Sequence, residues 1–217
     1  MLPNVLQPSA TDHVPVLAAE VRAGLGVEPG ETVVDATFGA GGHGALLAAD
    51  LQGSGKLIAI DRDPTARTYF ERFEKHARVQ ARLLRGDFGV VLPQLADNGV
   101  RADAILLDLG VSSMQLDRPE RGFSYATDAP LDMRMDTSQE LTAGDVVNEW
   151  PERELVTIFR RYGEERYAKQ IARAIVRRRK EQPFERTSEL VDAIKCSIPA
   201  PAATVPCSRP TCRGAAS

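Results

Sequence analysis

Short apolar runs, most closed by a carboxylate, punctuate the first half of the chain. Thr32-Val33-Val34-Asp35 is the first, β-branched and ending in Asp35. Lys56-Leu57-Ile58-Ala59-Ile60-Asp61 is the second, and Val79 to Leu84 the third. Ala102 to Leu107 is the fourth and stops at Asp108. Between the first two lie Gly39-Ala40-Gly41-Gly42-His43-Gly44 and a helical pattern from Ala45 to Leu51, broken by Gly53-Ser54-Gly55. A second helix is predicted from about Pro64 to His76, its proline falling in the permitted first turn. Strand, helix, strand at this rhythm predicts βαβ units and a parallel, doubly wound α/β sheet. Such sheets bind ligands beyond the carboxyl ends of their strands. Asp35, Asp61, Asp87 and Asp108 all fall at or just past those ends.

The rhythm stops after Asp108. Residues 110–136 have loop character, and helical patterns resume over 143–150 and 152–162. A longer helix is predicted from Glu164 to Lys180, in which Ala168, Ile171, Ala172 and Ile175 keep the spacing of a core-facing stripe. Arg166, Lys169, Arg173, Arg177 and Lys180 cluster on roughly the opposite side. A last short helix runs from Thr187 to about Lys195.

Composition sets the class. The chain has 217 residues, 43% hydrophobic and 26% charged, values of a globular domain of ordinary size. No run approaches the roughly 18 apolar residues of a membrane span, and the first residues lack a signal peptide's pattern, so the expectation is a soluble cytoplasmic chain. A net charge of −3 gives no hint of a nucleic-acid partner, but it is unevenly spread. Residues 1–150 hold 13 Lys/Arg against 22 Asp/Glu, whereas residues 151–186 hold 11 against 6. That basic block, centred on the predicted long helix, restores RNA as a possible partner, although a solvated helix face explains it as simply. Cysteine is uneven too. Cys196, Cys207 and Cys212 lie in the last 22 residues, their spacing fits no zinc template, and no metal is expected. A reduced, disulfide-free body is the plain reading, and three cysteines cannot pair completely.

Residues 39–44 satisfy GxGxxG between a strand and a helix. Glycines allow a tight turn and close ligand approach, and the helix N-terminus favours negative groups. Two ligand classes compete, a dinucleotide and S-adenosylmethionine. Asp61 suits ribose hydroxyls in either. Asp35, just ahead of the loop, favours the second, because a pyrophosphate gains nothing from a nearby anion whereas an ammonium and a sulfonium do.

Several longer motifs carry a more specific signal. Asp35-Ala36-Thr37-Phe38-Gly39-Ala40-Gly41-Gly42-His43 resembles the cofactor loop of the bacterial 16S ribosomal RNA cytosine-N4 methyltransferases. His13-Val14-Pro15-Val16-Leu17, Ala59-Ile60-Asp61-Arg62-Asp63-Pro64, Leu106 to Ser113 with Gln115-Leu116-Asp117, Glu120 to Ser124, Pro130 to Asp136 and Tyr162-Gly163-Glu164-Glu165-Arg166 are similar to further motifs of that family, in the same order. The likeness spans about residues 12–198. It implies a Rossmann-like class I methyltransferase sheet over residues 1–109, an inserted, mainly helical substrate-recognition domain over residues 110–197, and an aberrant tail over residues 198–217.

The resemblance implies S-adenosylmethionine contacts at Gly41, Gly42, His43, Asp61, Phe88, Asp108 and Gln115, and methylation of N4 of cytosine 1402 in 16S ribosomal RNA of the small ribosomal subunit. Phe88 suits adenine or the core, and His43 suits a ligand or a helix cap. Many amino methyltransferases carry Asp/Asn-Pro-Pro-aromatic where this chain has Asp108-Leu109-Gly110-Val111, and Asp108 is expected to take the catalytic part. Arg118, Arg121 and Arg134 are RNA candidates, or internal partners of Asp117, Asp132 and Asp136. Members of the family continue with further strands, whereas this sequence departs near Ile198-Pro199-Ala200-Pro201. The expectation is therefore a frame-shifted or mis-called end, an incomplete sheet with an exposed apolar edge, and poor stability and activity. Competing readings are an NAD-type oxidoreductase and an inactive RNA-binding remnant.

Overall fold

Val33 and Val34 alternate across the first strand and join different cores, which is how a strand buried on both faces is built. A computed structural model describes residues 15–199 of the chain, in two units. The first unit comprises the described residues up to Met114 together with Met135–Thr137. In chain order it contains α1 (Ala18–Leu25), β1 (Thr32–Asp35), α2 (Gly42–Asp50), β2 (Lys56–Asp61), α3 (Ala66–Glu74), β3 (Gln80–Arg85), α4 (Phe88–Asp97) and β4 (Ala104–Leu106). All four strands are parallel, in the order β3-β2-β1-β4. The order reverses beside β1, so the ends of β1 and β4 form the switch point where such sheets take ligands.

On one face Val33, Leu57 and Leu106 pack with Leu47 and Leu51 around α2. On the other, Val34, Ile58 and Ile60 pack with Val91 and Leu95 of α4. The α/β expectation holds, and the strands lie within about two residues of their predicted bounds. α4 was not anticipated. Pro93 sits inside it, and its start is set by Asp87, whose carboxylate accepts a hydrogen bond from the Gly89 N–H at 2.8 Å. Among the described residues β4 pairs only with β1, and Ile105, Leu107 and Leu109 are exposed.

α5 (Ser113–Leu116) leads into the second unit, which holds Gln115–Arg134 and the described residues from Ser138 onward. Its helices are α6 (Ala143–Glu149), α7 (Glu152–Arg161), α8 (Ala168–Arg178) and α9 (Thr187–Ser197). Thr142 and Asp145 cap α6 reciprocally. Ala168, Ile171, Ala172 and Ile175 are all buried, as their spacing predicts, against Leu131, Val147, Leu155 and Phe184. Arg166, Lys169, Arg173, Arg177 and Lys180 are exposed.

α8 starts four residues later than its pattern suggests. Glu164 takes φ +50°, a left-handed backbone that no right-handed helix accommodates. Among the described residues the cysteine Cys196, near the end of α9, is disulfide-bonded, and the body ahead of it contains no cysteine.

Candidate functional site

Three carboxylates gather at the carboxyl ends of the first unit's strands, and each is held differently. Asp35 ends β1 and is fully buried. Its Oδ1 accepts the Thr37 N–H at 3.2 Å, whereas Oδ2 has no hydrogen-bond partner. Burial pushes this carboxyl up to about 7, and the charges of Asp61 and Asp108 push the same way. Asp61 ends β2, and its two oxygens accept the N–H groups of Gly39 at 2.7 Å and Asp63 at 2.8 Å. Burial raises its pKa as well, against those two hydrogen bonds. Asp108 lies two residues past β4, with its side chain 57% exposed. Its backbone N–H is anchored on the Thr37 hydroxyl at 2.8 Å.

The glycine loop runs over Phe38, whose ring packs edge-on against Phe70 and Phe73. Gly41 has φ +84°, and a Cβ there would lie 2.7 Å from the Phe38 ring. A Cβ at Gly44 would meet the same ring at 2.7 Å and Asp35 Oδ2 at 3.4 Å. Both positions therefore exclude a side chain, because the Phe38 ring occupies the space that a Cβ would take.

His43 is buried in the first turn of α2. Its Nε2 lies 2.9 Å from the Val16 carbonyl, which only accepts, so Nε2 carries the hydrogen. Nδ1 then faces Asp108 Oδ2 at 3.7 Å, beyond direct hydrogen-bond reach for the neutral ring. His43 thus ties the loop to the segment ahead of α1 and turns its other nitrogen toward Asp108.

The first unit brings Gly41, Gly42, His43, Asp61 and Asp108 to its strand ends. Phe88 begins α4 and is half-buried against the core around Val34 and Val91, so the core reading of that residue has a structural basis. Gln115 is buried in α5 and belongs to the second unit. Thr37, which ties Asp35 to Asp108, was not singled out from sequence, although it lies inside the quoted loop motif. Arg62, beside Asp87 at 3.4 Å, and Arg85, which meets Asp136 at 2.9 Å, were also missed. Two of the three loop arginines are internal. Arg134 grips Asp132 through two hydrogen bonds, and buried Arg121 donates to the Arg134 carbonyl at 2.7 Å.

A glycine cradle at a switch point, beside a buried carboxylate with a free oxygen, defines a nucleotide-type site suited to a cationic end group, which is the class of S-adenosylmethionine-binding α/β proteins. The family model described as the MraW methylase family matches residues 10–210, and the chain belongs to that family. The match runs past Ile198, where the resemblance in the quoted motifs ends.

Among solved structures the chain is similar to NSun6 from Pyrococcus horikoshii with SFG, at 26% identity over 44% of this chain and 24% of that one, with a TM-score of 0.37. It is also similar to the C-terminal domain of precorrin-6Y C5,15-methyltransferase from Rhodobacter capsulatus, at 18% identity over 56% and 63% of the two chains, with a TM-score of 0.35. The chain spans less than two thirds of either one's length. The fold assignment rests on the sheet and the family match. The cofactor of this methylase family is S-adenosylmethionine, which sets the NAD reading aside. Among the described residues no helix is long and apolar enough to cross a membrane.

Proposed function

We propose that the chain transfers a methyl group from S-adenosylmethionine to N4 of cytosine 1402 in 16S ribosomal RNA, within the small ribosomal subunit. The observation that carries the reading is the buried Asp35, whose unpartnered Oδ2 borders the glycine cradle. A cation satisfies that oxygen, whereas a pyrophosphate is repelled by it. In this reading Gly41 and Gly42 receive the amino-acid end of the cofactor by backbone approach, and Asp61 accepts from its ribose. Phe88 lies against its adenine and His43 completes the first unit's contacts, while the role of Gln115 rests on the family resemblance alone. S-adenosylmethionine supplies an electrophilic methyl carried on a sulfonium.

The exocyclic amine of cytosine is a poor nucleophile, since its lone pair is delocalised into the ring. Asp108, exposed and fixed through its backbone to Thr37, accepts a hydrogen bond from that amine and takes its proton as the new N–C bond forms. Bound S-adenosylmethionine would supply that methyl, its sulfur keeping the electron pair of the C–S bond.

The test is methyl transfer from labelled cofactor to 16S RNA and to assembled small subunits, with the modified nucleoside identified after digestion. The expected product is N4-methylcytidine at one position, and label on carbon, on another base or nowhere overturns the reading. Asp108→Ala is expected to lower turnover by roughly 10²–10⁴-fold, the usual worth of a positioned acid or base, with cofactor affinity kept near the unaltered value. Unchanged turnover in that variant removes Asp108 from the chemistry.

A further inference from the structure

The Tyr162-Gly163-Glu164-Glu165-Arg166 stretch has no part in methyl transfer as described above, yet the second unit folds it into an unusual corner between α7 and α8. Tyr162 follows α7 and is 73% exposed. Gly163 presses on α7, so that a Cβ there would lie 2.9 Å from the Phe159 carbonyl oxygen. Glu164 holds φ +50°, a conformation that costs a glutamate and that glycine adopts freely. Strain of this kind is kept mostly where a site requires it. Glu165 turns inward: its N–H donates to the Phe159 carbonyl at 2.9 Å, and its Oε1 accepts the Tyr167 N–H at 2.7 Å.

The result is a cleft of about 330 Å³ lined by Glu164, Glu165, Arg166, Tyr167 and Ile198. Its size is at the lower end for small-molecule sites, the scale of a single nucleotide. The Arg166 guanidinium lies over the Tyr167 ring, 4.7 Å from its centroid. From this corner α8 presents Lys169, Arg173 and Arg177, all exposed and spaced by four residues, or about 6 Å along the axis. Arg173 pairs with Glu152 at 3.3 Å, while Lys169 and Arg177 have no ion partner among the described residues.

We propose that this corner is a second RNA contact, holding one unpaired nucleotide of the substrate apart from the base that is methylated. The nucleotide's base lies against the Arg166–Tyr167 pair, and Glu164 accepts a hydrogen from its exocyclic amine or ring N–H. The flanking phosphates follow Lys169, Arg173 and Arg177. Unpaired bases are what proteins read in RNA by stacking on aromatic and guanidinium planes, and a carboxylate selects bases that donate. The inference rests on the RNA-methylating reading above.

The test uses the full chain and fluorescence anisotropy with an unpaired RNA octamer and the same sequence in duplex form. Glu164→Gly is expected to melt at a higher temperature, because it relieves the left-handed glutamate, yet to bind the unpaired octamer at least fivefold more weakly. Arg166→Ala is expected to weaken that binding about tenfold. Lys169→Ala is expected to flatten the dependence of log affinity on log salt by about one phosphate's worth, a slope that Glu164→Gly leaves unchanged. If both corner variants bind the octamer as the unaltered chain does, or lose duplex and unpaired RNA equally, the corner proposal is overturned. Loss of octamer binding in these variants, alongside an unaltered chain that methylates no cytosine N4, overturns the proposed reaction and leaves the corner standing.

Discussion

Asp35 is where burial and charge conflict most sharply. Its carboxyl has no solvent exposure, one oxygen without a partner, and a pKa moved from 3.8 to about 7, chiefly by burial. The native state therefore binds a proton that the unfolded state has already lost between those two values. Stability from this group is complete below pH 3.8, erodes as pH rises and is gone above about 7. Asp35→Asn, which cannot ionise, is expected to gain melting temperature relative to the unaltered chain from pH 4 to 7, with a constant difference above. A melting series in matched buffers checks this, and a difference that stays flat throughout contradicts it. A cationic ligand beside Oδ2 expels the same proton. Affinity for S-adenosylmethionine should rise by up to tenfold per pH unit toward pH 7, with proton release measurable by calorimetry in buffers of different ionisation enthalpy. In Asp35→Asn both effects should vanish, and affinity should be weaker at pH 7.5. Sequence places Asp35 at the loop, but that its Oδ2 is buried beside Gly44 without a partner is set by the fold, which no local pattern records. Arg121 and Arg134 were ambiguous for a related reason: choosing between RNA and Asp132 requires the fold of the loop that carries them.

Elements were legible where one physical demand dominated. The strands of a parallel sheet are apolar on both faces, so β1 and β2 stand out as runs rather than alternations. The buried stripe of α8 follows from helical period alone. Boundaries and interruptions were not legible, because they depend on single backbone conformations. Glu164 stops α8 from extending toward its N-terminus, and Asp87 starts α4 despite Pro93 within it. The centre of the α8 stripe supplies an element-scale prediction. Ile175 has no exposed surface and packs among Leu155, Ala172 and Phe184. Ile175→Ala should cost about 2–5 kcal/mol, measured by urea unfolding of the second unit's signal, because it removes buried methyl groups and leaves a cavity. A loss under about 1 kcal/mol would mean that the packing around α8 closes over the gap.

At the scale of the whole chain, two surfaces remain to be accounted for. The first is charge: an acidic portion over residues 1–150 and a basic block over residues 151–186 resolve a net of −3 into opposite tendencies, so under the proposed function the block is the surface that would meet RNA. The second is apolar. β4 has three paired residues and one neighbouring strand among those described, and Ile105 at 45% and Leu109 at 69% exposure stand beside exposed Leu107 and Val111. A strand edge with unpaired backbone groups and adjacent apolar side chains is a template for association, since native edges are usually short, charged or covered. This one is short, and across residues 104–111 only Asp108 is charged. Sedimentation velocity at increasing concentration should therefore show reversible or progressive self-association. Leu109→Lys should suppress it without lowering the melting temperature, because the position contributes little buried surface and a lysine there opposes a second edge by like charge. A monomer at all concentrations, or a Leu109→Lys chain that associates as the original does, would mean that this edge is not the contact.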